Sequence, residues 1–266
     1  MDDQTLLYEA GDGVARVTLN RPEVHNAFNQ RMLGEFRQVW TTIRDDPHIR
    51  AVIITGSGDK AFCTGIDRTE AMAGPDGPPR SPSPFEFDDP GRALGPKSNG
   101  VWRPVVASVN GMACGGAFYL LGEADIIIAA DHATFFDPHV TYGMASAYES
   151  LHMLPRLPLG ELLRMQLLGS HERMSARRAL EIGLVSEVVA DGQLAETATW
   201  IAGAIASQPP LAVEATLRAI WRGLDMPRAA ALESAYGYVR LGNAPESVRE
   251  GQRQFASGRR TRWRLR

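Results

Sequence analysis

Cys63 and Cys114 are the only two cysteines in the 266 residues. Two are too few for a disulfide framework or a cysteine-based metal site, and a reducing compartment suits them. Lysine is almost missing: of 28 basic residues only Lys60 and Lys97 are lysine, a bias that fits a GC-rich genome. No excess of positive charge exists either, since the formal net charge is -3. A global electrostatic case for nucleic acid is thereby excluded. Long apolar runs are absent as well. The run Ile126-Ile127-Ile128-Ala129-Ala130 lies between Asp125 and Asp131, far short of the ~20 residues that cross a bilayer. The start, Met1-Asp2-Asp3-Gln4, has no basic flank leading into an apolar stretch, so no secretory signal is visible. These gaps together predict a cytoplasmic protein without a metal, a membrane or a nucleic-acid partner.

What is present is ordinary globular composition, 44% hydrophobic and 22% charged. It is enough for one large domain, or one domain with a small appendage. Short runs rich in β-branched residues predict strands at 14–19, 51–55, 105–109, 125–130, 134–140 and 184–189. Helical segments separate several of them. Leu33, Phe36, Trp40 and Ile43 mark one apolar face of 29–44, Ser175 reads as an N-cap, and Gly183 as a helix stop. Strands alternating with helices predict an α/β core. From about residue 190 the strand signal stops. Segments 193–207, 211–224, 228–241 and 245–256 read as helices, and Val213, Leu217, Ile220 and Leu224 stripe the second. That apolar surface packs on the core or on another subunit. Residues 73–100, with Gly74-Pro75-Asp76-Gly77-Pro78-Pro79 and Ser81-Pro82-Ser83-Pro84, predict a long loop.

Two glycine turns follow predicted strands, Thr64-Gly65-Ile66-Asp67 and Cys114-Gly115-Gly116-Ala117. The second runs into a helical stretch. Free N–H groups at a helix start, approached closely across glycine, suit an anion or a developing oxyanion. The spacing is neither a Rossmann fingerprint nor a P-loop, and no G-x-S-x-G elbow occurs.

Taken in order, several segments carry a resemblance. They are Leu19-Asn20-Arg21-Pro22-Glu23-Val24-His25-Asn26-Ala27, then Ala61-Phe62-Cys63-Thr64-Gly65-Ile66-Asp67, then Arg103-Pro104-Val105 through Asn110-Gly111 with Gly115-Gly116. Glu123-Ala124-Asp125-Ile126, Ala179-Leu180-Glu181-Ile182-Gly183-Leu184-Val185 and Glu250-Gly251 through Phe255 continue it. The set resembles the crotonase superfamily, the enoyl-CoA hydratase/isomerase family, over essentially the whole chain. The resemblance implies an α/β spiral of ββα repeats over 1–195 and a helical oligomerisation region over 196–266. A homotrimer or a dimer of trimers goes with it. It also implies an acyl-CoA substrate, with coenzyme A part of that substrate and no bound cofactor. The backbone N–H groups of Ile66 and Gly116 then hold the thioester oxygen, and Val24, His25, Ala27 and Thr64 line the path of the CoA ester.

The chain departs from the family at the two hydratase glutamates. Tyr119 and His139 occupy those positions. His139 is then the expected acid/base, because its ordinary pKa lies near working pH. Tyr119 donates a hydrogen bond or fills space. Glu149 either replaces a missing carboxylate or is a helix-start glutamate favoured by the dipole. Asp137 alternates with His139 along the predicted strand, which allows a His–Asp pair. Asp67 reads as structural, and Cys63 and Cys114 as small buried residues. Within 73–100, Phe85, Glu86, Phe87, Asp88 and Asp89 either shape the acyl pocket or form a solvated linker. In the arginine-rich tail, Arg259 and Arg260 either reach CoA phosphates or form a solvated end. A hydratase, isomerase, hydrolase or carbon–carbon cleaving enzyme fits this pattern. The alternatives are a non-catalytic acyl-CoA binder and, distantly, a nucleic-acid binder.

Overall fold

The computed structural model describes residues 4–71, 89–258 and 263–266. Among the described residues ten short strands form two sheets. The six-stranded sheet takes β1 (Leu6–Gly11), β2 (Val14–Leu19), β3 (Ala51–Gly56), β5 (Val105–Val109), β7 (Ile126–Ala130) and β10 (Glu187–Val189), in that order. The four-stranded sheet takes β4 (Ala61–Cys63), β6 (Met112–Cys114), β8 (Thr134–Phe136) and β9 (Met174–Ser175). Pairing is parallel throughout except for β1 with β2 and β8 with β9. Parallel strands need both faces covered, which is why β3 and β5 read as near-continuous apolar runs and are almost wholly buried.

The expected helix at 29–44 is α1 (Gln30–Asp45). Asn29 is its N-cap, accepting from the Met32 N–H at 2.9 Å. Its apolar stripe, Met32, Leu33, Phe36, Trp40 and Ile43, is buried in the core. The helices that follow are α2 (Arg68–Ala71), α3 (Gly91–Leu94), α4 (Ala117–Glu123), α5 (Tyr148–Met153), α6 (Leu159–Leu168) and α7 (Ala176–Glu181). Ser175 caps α7 through the Arg178 N–H, and Gly183 turns the chain at φ +83° two residues past its end. Then come α8 (Leu194–Ala206), α9 (Pro210–Leu224), α10 (Arg228–Gly242) and α11 (Pro245–Ala256). The chain separates into two compact units, Met1–Gly203 and Ala204–Arg266.

Two expectations need correcting. The strand predicted over 134–140 stops at Phe136, and His139–Tyr142 is a 3-10 turn. Pro138 cannot donate a ladder hydrogen bond and begins that turn instead. The strand predicted over 184–189 covers only Glu187–Val189. Of the predicted loop, 73–88 lies outside the described residues. Residues 89–100 form α3 and tight turns.

The topology has one consequence for chemistry. Strands β4, β6 and β8 lie side by side and parallel. Beyond their C-terminal ends lie Thr64-Gly65-Ile66, Gly115-Gly116 and Asp137-Pro138-His139. Three segments far apart in sequence are thereby delivered to one edge. Buried Asn26 and Asn110 hold the corners that feed β4. The Asn26 amide donates to the Ala61 carbonyl at 2.8 Å and the Ser57 carbonyl at 3.0 Å. Asn110 accepts from the Gly56 N–H at 3.0 Å and donates to the Gly58 carbonyl at 2.8 Å.

Candidate active site

At that edge is an open cavity of about 850 Å³. Val24, His25, Ala27, Thr64, Ile66, Gly116, Tyr119, His139 and Glu149 all line it. Every predicted site residue that falls among the described residues is therefore brought together. Arg259 and Arg260 lie outside them, as do Phe85, Glu86, Phe87 and Asp88.

One wall is backbone. The Phe28 N–H donates to the Gly65 carbonyl and the Phe28 carbonyl accepts from the Asp67 N–H, each at 2.8 Å. Both bonds of this parallel bridge lie on one side, so the intervening Ile66 N–H points to the other. Gly116, at the N-cap of α4, brings a second N–H to the same place; helix starts leave such donors unmet. The two turns are in close contact. A side chain on Gly65, at φ +84°, would put its Cβ 2.8 Å from the Gly116 nitrogen. One on Gly116 would meet the Phe28 ring at 2.5 Å. Glycine is thus required at both positions by approach, and at Gly65 by conformation too. Phe28, which braces both turns, was not singled out in the sequence.

The other wall is side chains. Asp137 is fully buried. Its Oδ1 accepts from the His139 backbone N–H at 2.9 Å and lies 2.5 Å from His139 Nδ1; its Oδ2 accepts from the Ser146 hydroxyl at 2.8 Å. The His–Asp pair that alternation allowed is present, but a turn makes it rather than a strand. Burial pushes the Asp137 carboxyl up, yet the bonds from His139 and Ser146 outweigh that and hold it below the usual range. His139 is raised: the bond to Asp137 favours the charged ring, burial opposes it, and the charges of Asp137 and Glu149 add to the rise. With Nδ1 facing Asp137, the Nε2 edge is left for the cavity. Glu149 Oε1 lies 3.5 Å from it. Glu149 does sit in the first turn of α5, as a helix-start glutamate would, but it is only 6% exposed.

Tyr119 is one turn along α4 from Gly116 and 3% exposed. Its hydroxyl donates to Asp89 Oδ2 at 2.6 Å. Burial, then the bond to Asp89 and the nearby Glu149 charge, hold the phenol well above its usual range. Asp67 is tied into the fold, 2.9 Å from Arg21 and accepting from the Thr69 N–H at 3.0 Å. Cys63 and Cys114 are buried, and burial first of all pushes both thiols up to about 12, so neither is a ready nucleophile. Among the described residues no group of His, Cys, Asp and Glu is placed to hold a metal ion, and no helix is long and apolar enough to cross a membrane.

Comparison with known proteins gives this site its context. The family model described as enoyl-CoA hydratase/isomerase matches residues 9–266. The chain belongs to the enoyl-CoA hydratase/isomerase family. Among curated relatives, (E)-benzylidenesuccinyl-CoA hydratase of Thauera aromatica is 36% identical over 82% of this chain and 83% of its own length. Carnitinyl-CoA dehydratase of Salmonella arizonae is 34% identical over 94% of each. A solved enoyl-CoA hydratase/isomerase from Mycobacterium paratuberculosis superposes at a TM-score of 0.85, with 36% identity and 99% of both chains covered. The fold is accordingly the crotonase fold, and the protein is an acyl-CoA-processing member of this family.

Proposed function

We propose that the protein hydrates an α,β-unsaturated acyl-CoA thioester, and dehydrates the β-hydroxyacyl thioester in reverse, with His139 as the acid/base. The observation that carries this is the His139 ring, held at Nδ1 by Asp137 while Nε2 faces the cavity beside Glu149. Relatives named as hydratases and a dehydratase support the reaction class.

In this reading the Ile66 and Gly116 N–H groups hold the thioester oxygen. Water loses a proton to Nε2 as its oxygen adds to Cβ. Charge moves onto the thioester oxygen, where two fixed donors stabilise it most in the transition state. The imidazolium Nε2–H, with Glu149 alongside, then supplies a proton to Cα. The bound group carries coenzyme A itself, and no further cofactor enters. Val24, His25, Ala27 and Thr64 take the CoA side of the cavity, and Arg259 and Arg260 are assigned to its phosphates on their charge. Residues 196–266 are read as the trimerisation region, supported by the exposed apolar side chains Ile220, Leu232, Tyr236 and Leu241; light scattering of the intact protein tests the assembly.

Crotonyl-CoA turnover with mass spectrometry of the product tests the chemistry. Wild type is expected to yield the hydrated thioester, and His139→Ala to lose about 10²–10⁴-fold. A loss below about threefold removes His139 from the role. The second reading, a non-catalytic acyl-CoA binder, draws on Tyr119 and His139 standing where the hydratases have glutamates. Tight thioester binding with no turnover of straight, branched or cyclic esters would favour it.

A further inference from the structure

The two walls of the cavity have opposite hydrogen-bonding character, and Asp89 decides one part of that. A phenol hydroxyl has a single proton. Tyr119 gives it to Asp89 Oδ2 at 2.6 Å. Asp89 is itself held, its Oδ1 accepting the Gly91 N–H at 2.8 Å at the start of α3. The ring has little room to turn the hydroxyl away. A Cβ on Gly91 would lie 2.6 Å from Tyr119 Cδ1, so the Gly91 backbone packs against the ring, and His152 meets the ring edge-on at a centroid distance of 5.5 Å. The phenol oxygen is left with its lone pairs on the side of the cavity and of Glu149, whose carboxylate is a second acceptor within reach of the hydroxyl.

The neighbouring groups point the same way. Glu149 offers carboxylate oxygens, and His139, with its Nδ1 proton on Asp137, offers Nε2 as an acceptor in its neutral form and as a donor when charged. The other donors are the backbone N–H groups across the cavity.

We infer that Asp89 is a specificity-determining residue: by taking the phenol proton it makes Tyr119 an acceptor, so the acyl site selects chains bearing a hydroxyl donor over chains bearing a keto oxygen at the same carbon. This rests on the acyl-CoA reading above. A β-hydroxyl can donate to the Tyr119 oxygen, whereas a β-keto oxygen placed there faces the lone pairs of that oxygen and is repelled. Removing Asp89 frees the phenol proton, which then points to the keto oxygen or to Glu149.

The test is calorimetric binding at neutral pH in the His139→Ala background, where turnover is suppressed. The probes are 3-hydroxybutyryl-CoA, acetoacetyl-CoA and butyryl-CoA. The parent is expected to bind the hydroxy ester roughly tenfold more tightly than the keto ester, the scale of one net hydrogen bond. Tyr119→Phe and the double variant Asp89→Ala/Glu149→Gln should bring that ratio to about one or invert it. Asp89→Asn, with one amide oxygen where the carboxylate accepts from both the Gly91 N–H and the phenol, should lower it too. Butyryl-CoA, which has no oxygen at that carbon, reports any change in the pocket itself, and the ratio is read beside its affinity in each variant. A ratio that survives Tyr119→Phe, or survives the double variant unchanged, overturns the inference while leaving the acyl-CoA reading in place. Failure of all three thioesters to bind the parent overturns both.

Discussion

The backbone wall and the side-chain wall of the cavity are built on different principles. The backbone wall, Gly65-Ile66 and Gly115-Gly116, is made of main-chain N–H groups whose direction is set by strand pairing and a helix start. Its requirement on sequence is negative: no side chain may stand at Gly65 or Gly116. The side-chain wall, Tyr119, His139 and Glu149, is made of groups whose direction depends on a supporting acceptor elsewhere, Asp89 for Tyr119 and Asp137 for His139. The first wall tolerates no change, and the second can be rewritten one residue at a time. That division fits the resemblance read from the sequence, which implies kept glycines at Gly65 and Gly116 and replaced glutamates at Tyr119 and His139.

The sharpest way to break the comparison is Gly65→Ala. Its Cβ would lie 2.8 Å from the Gly116 nitrogen, on a backbone at φ +84°. Both donors must shift, and losing one such donor costs about 10²–10³-fold in kcat. Gly183→Ala is the control. It has a similar φ of +83° but nothing within 4 Å. It should lose roughly 1–2 kcal/mol of stability from left-handed strain while kcat stays within about threefold. Equal kcat losses in the two variants would mean that strain, not donor geometry, is responsible.

The same division explains what could be read from the sequence. Glycine turns after strands are local signals, and the resemblance placed Ile66 and Gly116 at the cavity without any knowledge of packing. The supporting acceptors are another matter. The Asp137–His139 pair was anticipated on the wrong geometry, because a period-two pattern does not reveal that Pro138 ends the strand and folds residues 137–139 into a turn. Glu149 was read as serving a helix start or replacing a carboxylate, and nothing local distinguishes those readings. Only the fold brings it within 3.5 Å of His139. Asp89 is 30 residues from Tyr119, and within the loop read over 73–100 the sequence leaves it between shaping the acyl pocket and forming a solvated linker. Phe28 leaves no signal beyond being apolar. Its role comes from bracing Gly65 and Gly116 together, a tertiary fact.

A smaller effect is expected from Asp137→Asn, which touches the second wall through its support. The amide can no longer hold a charged ring at Nδ1, so the tautomer that leaves Nε2 free is less favoured. About 10–100-fold of the acid/base contribution should go, with substrate affinity little changed. The pH profile tells orientation from general damage. In the proposed reaction His139 acts as base in its neutral form, so kcat/KM should rise with pH through a raised pKa in wild type. Without the Asp137 charge that limb should move to lower pH. A rate loss with an unmoved limb would mean Asp137 serves only the fold.

The smallest effect concerns stability, and its sign is opposite to that of activity. The folded pKa of His139 lies above its ordinary value of about 6.5. Its stabilising contribution is therefore fully present below about pH 6.5 and is lost as pH rises through the folded pKa. Asp137, held below the usual carboxylate range, contributes above about pH 3.9 and loses that contribution as pH falls through its folded pKa. Between those limits the pair, with Glu149 beside it and Ser146 behind Asp137, is at its most stable; above them the site gains active base as it gives up cohesion. Thermal melts of wild type and His139→Gln across pH 5 to 8 should show a gap that is widest at the acid end and narrows toward pH 8. A gap that stays constant over that range would mean the ring is held by packing alone, and the side-chain wall would then owe its geometry to shape rather than to charge.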